Sequence, residues 1–129
     1  MVIDSSVIVA ILCREDGAER YLPAIEDSDD CVVSVATVLE TKIVMFRKMG
    51  LAAAKAVDKF LLEAGVNLAE MDAPQTEIAF QAYERFGKGQ GHPAQLNMGD
   101  CFSYALAMYR SDTLLFKGND FTYTDIDPA

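Results

Sequence analysis

Short apolar runs alternate with longer helical segments along the chain, and this alternation constrains the fold more than any other feature. The runs are too short to be helices and carry β-branched residues, which is typical of buried strands. The predicted strands are residues 1–3 (MVI), 31–35 (CVVSV), 66–71 (VNLAEM) and 113–116 (TLLF). Parallel strands need crossover connections that cover the sheet, so intervening helices predict a mostly parallel sheet. We therefore expect an α/β fold with three layers, in which helices cover both faces of the sheet.

Helical periodicity and helix end signals define the segments between the strands. Ser5 or Ser6 is expected to cap the first helix, and Pro74 suits the first turn of another. Gly50 and Gly65 are typical of helix ends. The predicted helices cover residues 5–13, 17–26, 34–48, 51–65, 74–86 and 100–110. Residues 87–99 are the one long predicted loop. The acidic C-terminal segment is expected to form a turn, which one further edge strand could follow.

Length and composition narrow the class of protein. The 129 residues suit one domain spanning residues 1–129, and 51% of them are hydrophobic. The 20 acidic and 11 basic side chains give a net charge of −9, which argues against a broad electrostatic surface for nucleic acid or an anionic membrane. The three cysteines show no C-x-x-C spacing, so we expect reduced thiols in a cytoplasmic protein. The apolar N-terminus lacks the basic leader of a signal peptide, and no run approaches membrane-spanning length.

Four acidic residues occupy unusual positions. Asp4 directly follows the first strand, and Asp120 follows the last one. Glu40 is the only acid in a long apolar stretch, and Asp100 opens the last apolar helix. Each has a structural alternative: Asp4 and Asp100 could be helix caps, Glu40 a solvated surface charge, and Asp120 an ordinary turn residue. No single position is therefore diagnostic.

The four acids are expected to meet at one edge of the sheet. Ligands bind at the carboxyl ends of parallel strands, where the strand order reverses, and Asp4 and Asp120 both follow such ends. Glu40 and Asp100 lie on helices that can reach the same edge. Four converging carboxylates repel and raise one another's pKa unless a cation lies among them. Mg²⁺ or Mn²⁺ prefers such oxygen ligands, so the sequence predicts a divalent metal site.

Four fragments occur in an order and spacing typical of a known family: VIDSSVIVAIL, SVATVLE, GDCFSYALA and LLFKGNDF. Together they resemble the PIN-domain ribonucleases, and the whole chain is similar to the VapC-type toxins of bacterial toxin–antitoxin pairs. The resemblance implies a PIN-like α/β/α sandwich and RNA cleavage with Mg²⁺ or Mn²⁺. It also implies a homodimer and inhibition by a VapB-like antitoxin whose tail fills the active-site groove, with no membrane partner.

The resemblance also implies roles for individual residues. The catalytic acids fall on Asp4, Glu40, Asp100 and Asp120. We expect Asp4 and Asp100 to bind the metal directly, while Glu40 and Asp120 hold metal-bound water or a second ion and can accept a proton. Supporting positions are Ser5, Asn119 and Asp125. Expected RNA contacts are Arg47 and Lys117, with Lys48, Lys88 and His92 as further candidates.

Two alternatives from other classes remain open on the sequence. A receiver-like phosphoryl-accepting module also has an acidic Mg²⁺ pocket and would use Asp72. It needs paired acids after the first strand, where this chain has Ser5 and Ser6, and it gives Glu40 no role. A PIN-like binding domain without catalysis would share the fold, although the presence of all four acids speaks against it. Cleavage assays with and without Mn²⁺ distinguish these alternatives.

Overall fold

Four short strands and six helices alternate along the chain, and the computed structural model describes residues 1–129. The strands are β1 (Val2–Ile3), β2 (Val32–Ser34), β3 (Asn67–Ala69) and β4 (Leu114–Leu115). The helices are α1 (Ser5–Leu12), α2 (Tyr21–Glu26), α3 (Val35–Met49), α4 (Leu51–Glu63), α5 (Ala73–Phe86) and α6 (Met98–Arg110). The predicted alternation of strands and helices is confirmed.

All four strands are parallel, and their order across the sheet is β3, β2, β1, β4. Val2 in β1 pairs with Val32 on one side and with Leu114 on the other. The chain therefore adds β2 and β3 on one side of β1 and β4 on the opposite side. In an open parallel sheet, ligands bind in the crevice at such a reversal of strand order. The carboxyl end of β1 is consequently the favoured position for a site.

Neighbouring residues of each strand face opposite layers. Ile3 and Val33 pack with α1, α2, α3 and α4. Val2, Val32 and Leu114 pack with α5, α6 and the C-terminal segment on the other face. Because the side chains of a strand alternate between the two faces, β1, β2 and β4 each contribute to both apolar clusters. The predicted three-layer α/β/α arrangement is confirmed.

The buried face of α3 differs from the apolar stripe seen in its sequence. The α3 stripe consists of four exposed residues, Val35, Leu39, Ile43 and Phe46. Thr37 and Thr41 are fully buried instead. The Thr41 hydroxyl donates to the Thr37 carbonyl at 2.7 Å, and the Thr37 and Ser103 hydroxyls are 3.3 Å apart. Because these hydroxyls are hydrogen-bonded, burying them costs little free energy. The apolar stripe of α3 stays exposed to solvent.

The cap of α1 is the alternative given above for Asp4, and the cap of α6 lies earlier than expected. Asp4, rather than Ser5 or Ser6, caps α1, because its carboxylate accepts the Ser6 N–H at 2.9 Å. Helix α6 begins at Met98, two residues earlier than predicted, because Asn97 is its N-cap. In both helices a side chain satisfies backbone N–H groups that have no partner within the helix.

Two other segments also differ from prediction. The predicted helix over residues 17–26 consists of a 3₁₀ turn, Ala18–Arg20, followed by α2. Pro23 lies in the first turn of α2, where the missing N–H has no acceptor within the helix. The optional last strand is replaced by an isolated bridge between Leu114 and Pro128, since proline cannot donate to a strand ladder.

The three cysteines are free thiols, with Cys31 and Cys101 buried and Cys13 partly exposed. The Cys13 sulfur lies 3.8 Å from the Met45 sulfur. No helix in the structure combines the length and the apolar character needed to cross a membrane.

Candidate active site

The four acids predicted from the sequence converge at the carboxyl edge of the sheet. Asp4 directly follows β1, and Asp120 lies in the turn after β4. Glu40 projects from α3, and Asp100 lies in the first turn of α6. The pKa of Asp100 is raised to about 7, first by burial and then by the negative charges of the other three acids. The structure thus brings together side chains from four elements that are far apart in the sequence.

Asp4 is the most enclosed acid of the cluster, with only 2% of its surface exposed. Its Oδ2 accepts the Ser6 N–H at 2.9 Å and the Ser6 hydroxyl at 2.6 Å. Its Oδ1 accepts the Ser103 hydroxyl at 2.6 Å. The Ser6 hydroxyl in turn accepts the Lys117 N–H at 3.0 Å, which ties the loop after β4 to this position. These bonds fix the orientation of the carboxylate while leaving one lone pair on Oδ1 for another ligand.

Ser6, Ser103 and Thr37 form a polar support that the sequence analysis did not identify. Ser103 and Thr37 are fully buried, and their hydroxyls connect α6 and α3 behind Asp4. The sequence spacing could have identified Ser103, because it lies three residues after Asp100 on an otherwise apolar face of α6. Residues at this spacing lie on the same side of a helix. Ser6, rather than the expected Ser5, is the serine that binds Asp4.

Asp100 combines a structural and an electrostatic role. Its Oδ2 accepts the Asn97 N–H at 2.9 Å, while its own N–H donates to the Asn97 side chain at 2.9 Å. This reciprocal capping box stabilises the first turn of α6. The helix-capping alternative is therefore partly right, since Asp100 caps from inside the first turn while also facing the other acids.

Glu40 and Asp120 lie on the more accessible side of the cluster. Burial raises the pKa of Glu40, a hydrogen bond with the Ser5 side chain acts against this rise, and the charge of Asp4 adds to it. Asp120 is exposed, and partial desolvation followed by the charge of Asp4 raises its pKa. Asn119 is exposed in the same turn. Ser5 therefore lies beside Glu40 rather than beside Asp4.

Asp125 lies in a separate polar cluster. Its Oδ1 accepts the Tyr104 hydroxyl at 2.7 Å, and its Oδ2 accepts Arg85 Nη1 at 2.9 Å. Its charge is not among those that raise the pKa of Asp100. The structure therefore places Asp125 in a link between the C-terminal segment, α5 and α6.

The basic residues expected to contact RNA differ in their surroundings. Lys117 is paired with Glu15, so its charge is partly neutralised. Arg47 and Lys48 are exposed in the last turn of α3. His92 is held within its loop, because its Nδ1 accepts the Ala94 N–H at 3.1 Å and its ring packs edge-on against Phe86.

The cluster fits a hard divalent ion that retains water. All four potential ligands are carboxylates, the oxygen donors that Mg²⁺ and Mn²⁺ prefer. No three Asp, Glu, His or Cys side chains are close enough together to bind one ion in common. Mg²⁺ is usually bound by only one or two carboxylates and keeps several waters, so direct ligation by two acids suits this arrangement.

Comparisons with known proteins identify the family of the chain. The sequence model of the PIN domain matches residues 1–127. Ribonuclease VapC42 of Mycobacterium tuberculosis (strain ATCC 25618 / H37Rv) is 43% identical over 129 residues, which cover 100% of this chain and 98% of that protein. Ribonuclease VapC30 of the same strain is 44% identical over 126 residues, which cover 98% of this chain and 95% of that protein.

Solved structures show the same fold. VapC20 of Mycobacterium tuberculosis, described as a sarcin-ricin loop cleaving toxin, superposes with a TM-score of 0.81 at 18% identity, covering 99% of this chain and 97% of that chain. VapBC2 from Rickettsia felis, bound to a DNA fragment from its promoter, superposes with a TM-score of 0.75 at 11% identity, covering 99% of this chain and 96% of that chain. Because the family model and the relatives extend over almost all of the sequence, the chain belongs to the PIN-domain family, among its VapC-type ribonuclease toxins.

Proposed function

We propose that this chain is an Mg²⁺- or Mn²⁺-dependent endoribonuclease that acts as the toxin of a toxin–antitoxin pair. The observation that carries the metal-dependent mechanism is the convergence of four carboxylates at the reversal of strand order. The pKa of Asp100 is raised to about 7 there, so ionising the whole cluster is costly unless a cation binds. Dependence on a divalent metal is also general among PIN-domain ribonucleases.

In this mechanism the chain mainly positions the reacting groups. Asp4 and Asp100 would hold the ion through carboxylate oxygens, and the Ser103 and Ser6 hydroxyls keep Asp4 oriented. A bound divalent ion lowers the pKa of a coordinated water and neutralises charge that develops on the phosphate. Glu40 and Asp120 would orient the attacking water, and one of the two would accept its proton as the water oxygen bonds to phosphorus. The P–O bond that breaks leaves its electron pair on the departing ribose oxygen, which takes up a proton from solvent.

RNA contacts must be local, because the net charge of the chain is −9. Arg47 and Lys117 are the proposed phosphate contacts. Arg47 is exposed and available, whereas Lys117 already pairs with Glu15. RNA binding at Lys117 therefore requires the phosphate to compete with the Glu15 carboxylate.

We also propose that the chain forms a homodimer through its exposed apolar surface. The α3 stripe is uncovered, and a groove of about 490 Å³ lies between α5 and α6. Phe80 and Met98, which line this groove, are 59% and 70% exposed. Exposed apolar surface of this kind marks interaction sites rather than ordinary solvent-facing helices.

The proposed regulator is a VapB-like antitoxin. A VapBC complex is among the structures that share this fold. An Arg or Lys side chain on the tail of such a partner would enter the carboxylate cluster and replace the charge of the ion. Apolar residues of the partner would cover exposed side chains outside the α3 stripe, such as Leu22 in α2. Inhibition would then be relieved by replacing the basic residue of the partner, and metal titration of the complex would show a blocked site.

The direct test of the nuclease proposal is RNA cleavage by Asp4→Asn. Asparagine is also a good N-cap, so α1 should persist while a ligand charge is lost. We expect cleavage to fall by more than the roughly 10- to 100-fold loss typical of outer metal partners, and chelation of the wild type to act likewise. Asp29→Asn, the same change at an exposed position, is the matched control. Wild-type cleavage by Asp4→Asn, or labelling by a small phosphodonor, would contradict the proposal.

A further inference from the structure

Gly99 lies between the capping residue of α6 and Asp100, in direct contact with Glu40. A Cβ atom built on Gly99 would be 1.2 Å from Glu40 Oε2 and 2.2 Å from Glu40 Cδ. Non-bonded heavy atoms do not come so close together. The Glu40 carboxylate therefore occupies the space that any side chain at position 99 would fill. The hydrogen atom of glycine therefore creates a slot on the first turn of α6.

The backbone does not explain why glycine is present at this position. Gly99 lies within α6 and is not among the residues with positive φ. Glycine is the least favourable residue after proline in a helix, and alanine is the most favourable. The helix alone would thus favour alanine at position 99, so the reason for glycine lies in the contact with Glu40.

We propose that Gly99 is a positioning residue, whose missing side chain holds the Glu40 carboxylate of α3 against α6 beside Asp100. This inference rests on the proposed metal-dependent nuclease activity. Glu40 has a flexible side chain, so a methyl group at position 99 pushes the carboxylate aside and leaves the fold intact. Such a change therefore alters the position of the Glu40 carboxylate in the acid cluster rather than the stability of the fold.

Gly87 provides the contrast. A Cβ atom there would be 2.3 Å from the Tyr83 backbone carbonyl oxygen and 2.7 Å from the Tyr83 ring. A backbone atom cannot swing away as a carboxylate can, so Gly87→Ala should lower the thermal midpoint. Gly99→Ala should leave the midpoint in chelator unchanged or higher, because it removes a helix-destabilising glycine.

The experiment is a double-mutant cycle between positions 99 and 40, read by Mn²⁺ titration and by RNA cleavage. Gly99→Ala in the wild-type background should lower Mn²⁺ affinity by about 10- to 100-fold, as for other residues that orient metal ligands. In a Glu40→Ala background the slot is empty, so adding Gly99→Ala should leave Mn²⁺ affinity unchanged. In cleavage assays Gly99→Ala should lower kcat more than it raises KM.

Three results would overturn the inference. Wild-type Mn²⁺ affinity of Gly99→Ala, equal losses of affinity in both backgrounds, or a fall in thermal midpoint as large as that of Gly87→Ala would each assign Gly99 a different role. Asp4→Asn, measured in parallel, separates this failure from failure of the nuclease proposal. If Asp4→Asn loses Mn²⁺ binding while Gly99→Ala keeps it, only the positioning role is wrong.

Discussion

Replacing Asp100 with asparagine should stabilise the metal-free protein, and the gain should depend on pH. Asp100 is 7% exposed, and burial, followed by the charges of the neighbouring acids, raises its pKa from 3.8 to about 7. The folded protein therefore holds this proton more tightly than the unfolded chain does. The resulting stability is complete below the unfolded pKa of 3.8 and is lost as the pH rises through about 7. Above that pH the wild type carries an ionised, buried carboxylate, which the asparagine variant lacks.

The magnitude follows from the same pKa. One pKa unit corresponds to about 1.4 kcal/mol, so the difference between 3.8 and about 7 limits the cost of ionised Asp100 to about 4 kcal/mol. Relaxation and water entry reduce such costs, and we expect Asp100→Asn to raise the free energy of unfolding near pH 8 by about 1–3 kcal/mol. For a domain of this size, the rise in Tm would be about 3–10 °C. The amide oxygen can still accept the Asn97 N–H, so the capping box need not be lost.

Thermal or urea unfolding in chelator, near pH 8 and again near pH 4.5, provides the assay. The advantage of Asp100→Asn should be large at the higher pH and should shrink at the lower one, where the wild-type carboxyl is protonated in the folded state. Asp29→Asn removes an exposed charge and controls for net charge. Added Mn²⁺ should reverse the order, because an ion that binds the ionised cluster stabilises the wild type more than the variant.

A drop in midpoint for Asp100→Asn near pH 8 in chelator would refute this reasoning. That result would mean that the carboxylate contributes more as a partner of Asn97 than it costs through burial and repulsion. A gain of equal size at both pH values would also count against it, since ionisation would then play no part.

Three further outcomes are expected. Ser103→Ala removes the 2.6 Å hydrogen bond to Asp4 Oδ1 and should lower Mn²⁺ affinity about tenfold, measured by titration, with a stability loss of about 1–2 kcal/mol. Tyr104→Phe removes the hydrogen bond to Asp125 and should cost about 1 kcal/mol in urea unfolding while cleavage stays unchanged. Leu39→Glu places a charge in the α3 stripe and should shift sedimentation from dimer to monomer; an unchanged dimer would exclude this face as the interface.

The sequence determined the layout of the fold and the identity of the acid cluster. Strand and helix signals are local, so short β-branched runs separated by helices sufficed to predict a parallel sheet. Once the sheet is parallel, its strands end at the same edge, and Asp4 and Asp120 must lie there. Glu40 and Asp100 could be added because each is a lone acid in an apolar helix. The sequence around each acid and the parallel topology of the sheet were therefore sufficient to predict these four positions.

Only the tertiary structure decided what surrounds the acids. The hydrogen bond from Ser103 to Asp4 joins residues 99 positions apart, and the pairing of Lys117 with Glu15 spans 102 positions. The periodicity of α3 predicted a helix, yet its buried face consists of Thr37, Val38, Thr41 and Met45 rather than of its most apolar stripe. Such contacts depend on how distant elements pack and turn relative to one another. Periodicity within one segment contains no information on the orientation of its neighbours, and this is why the supporting residues appear only in the folded chain.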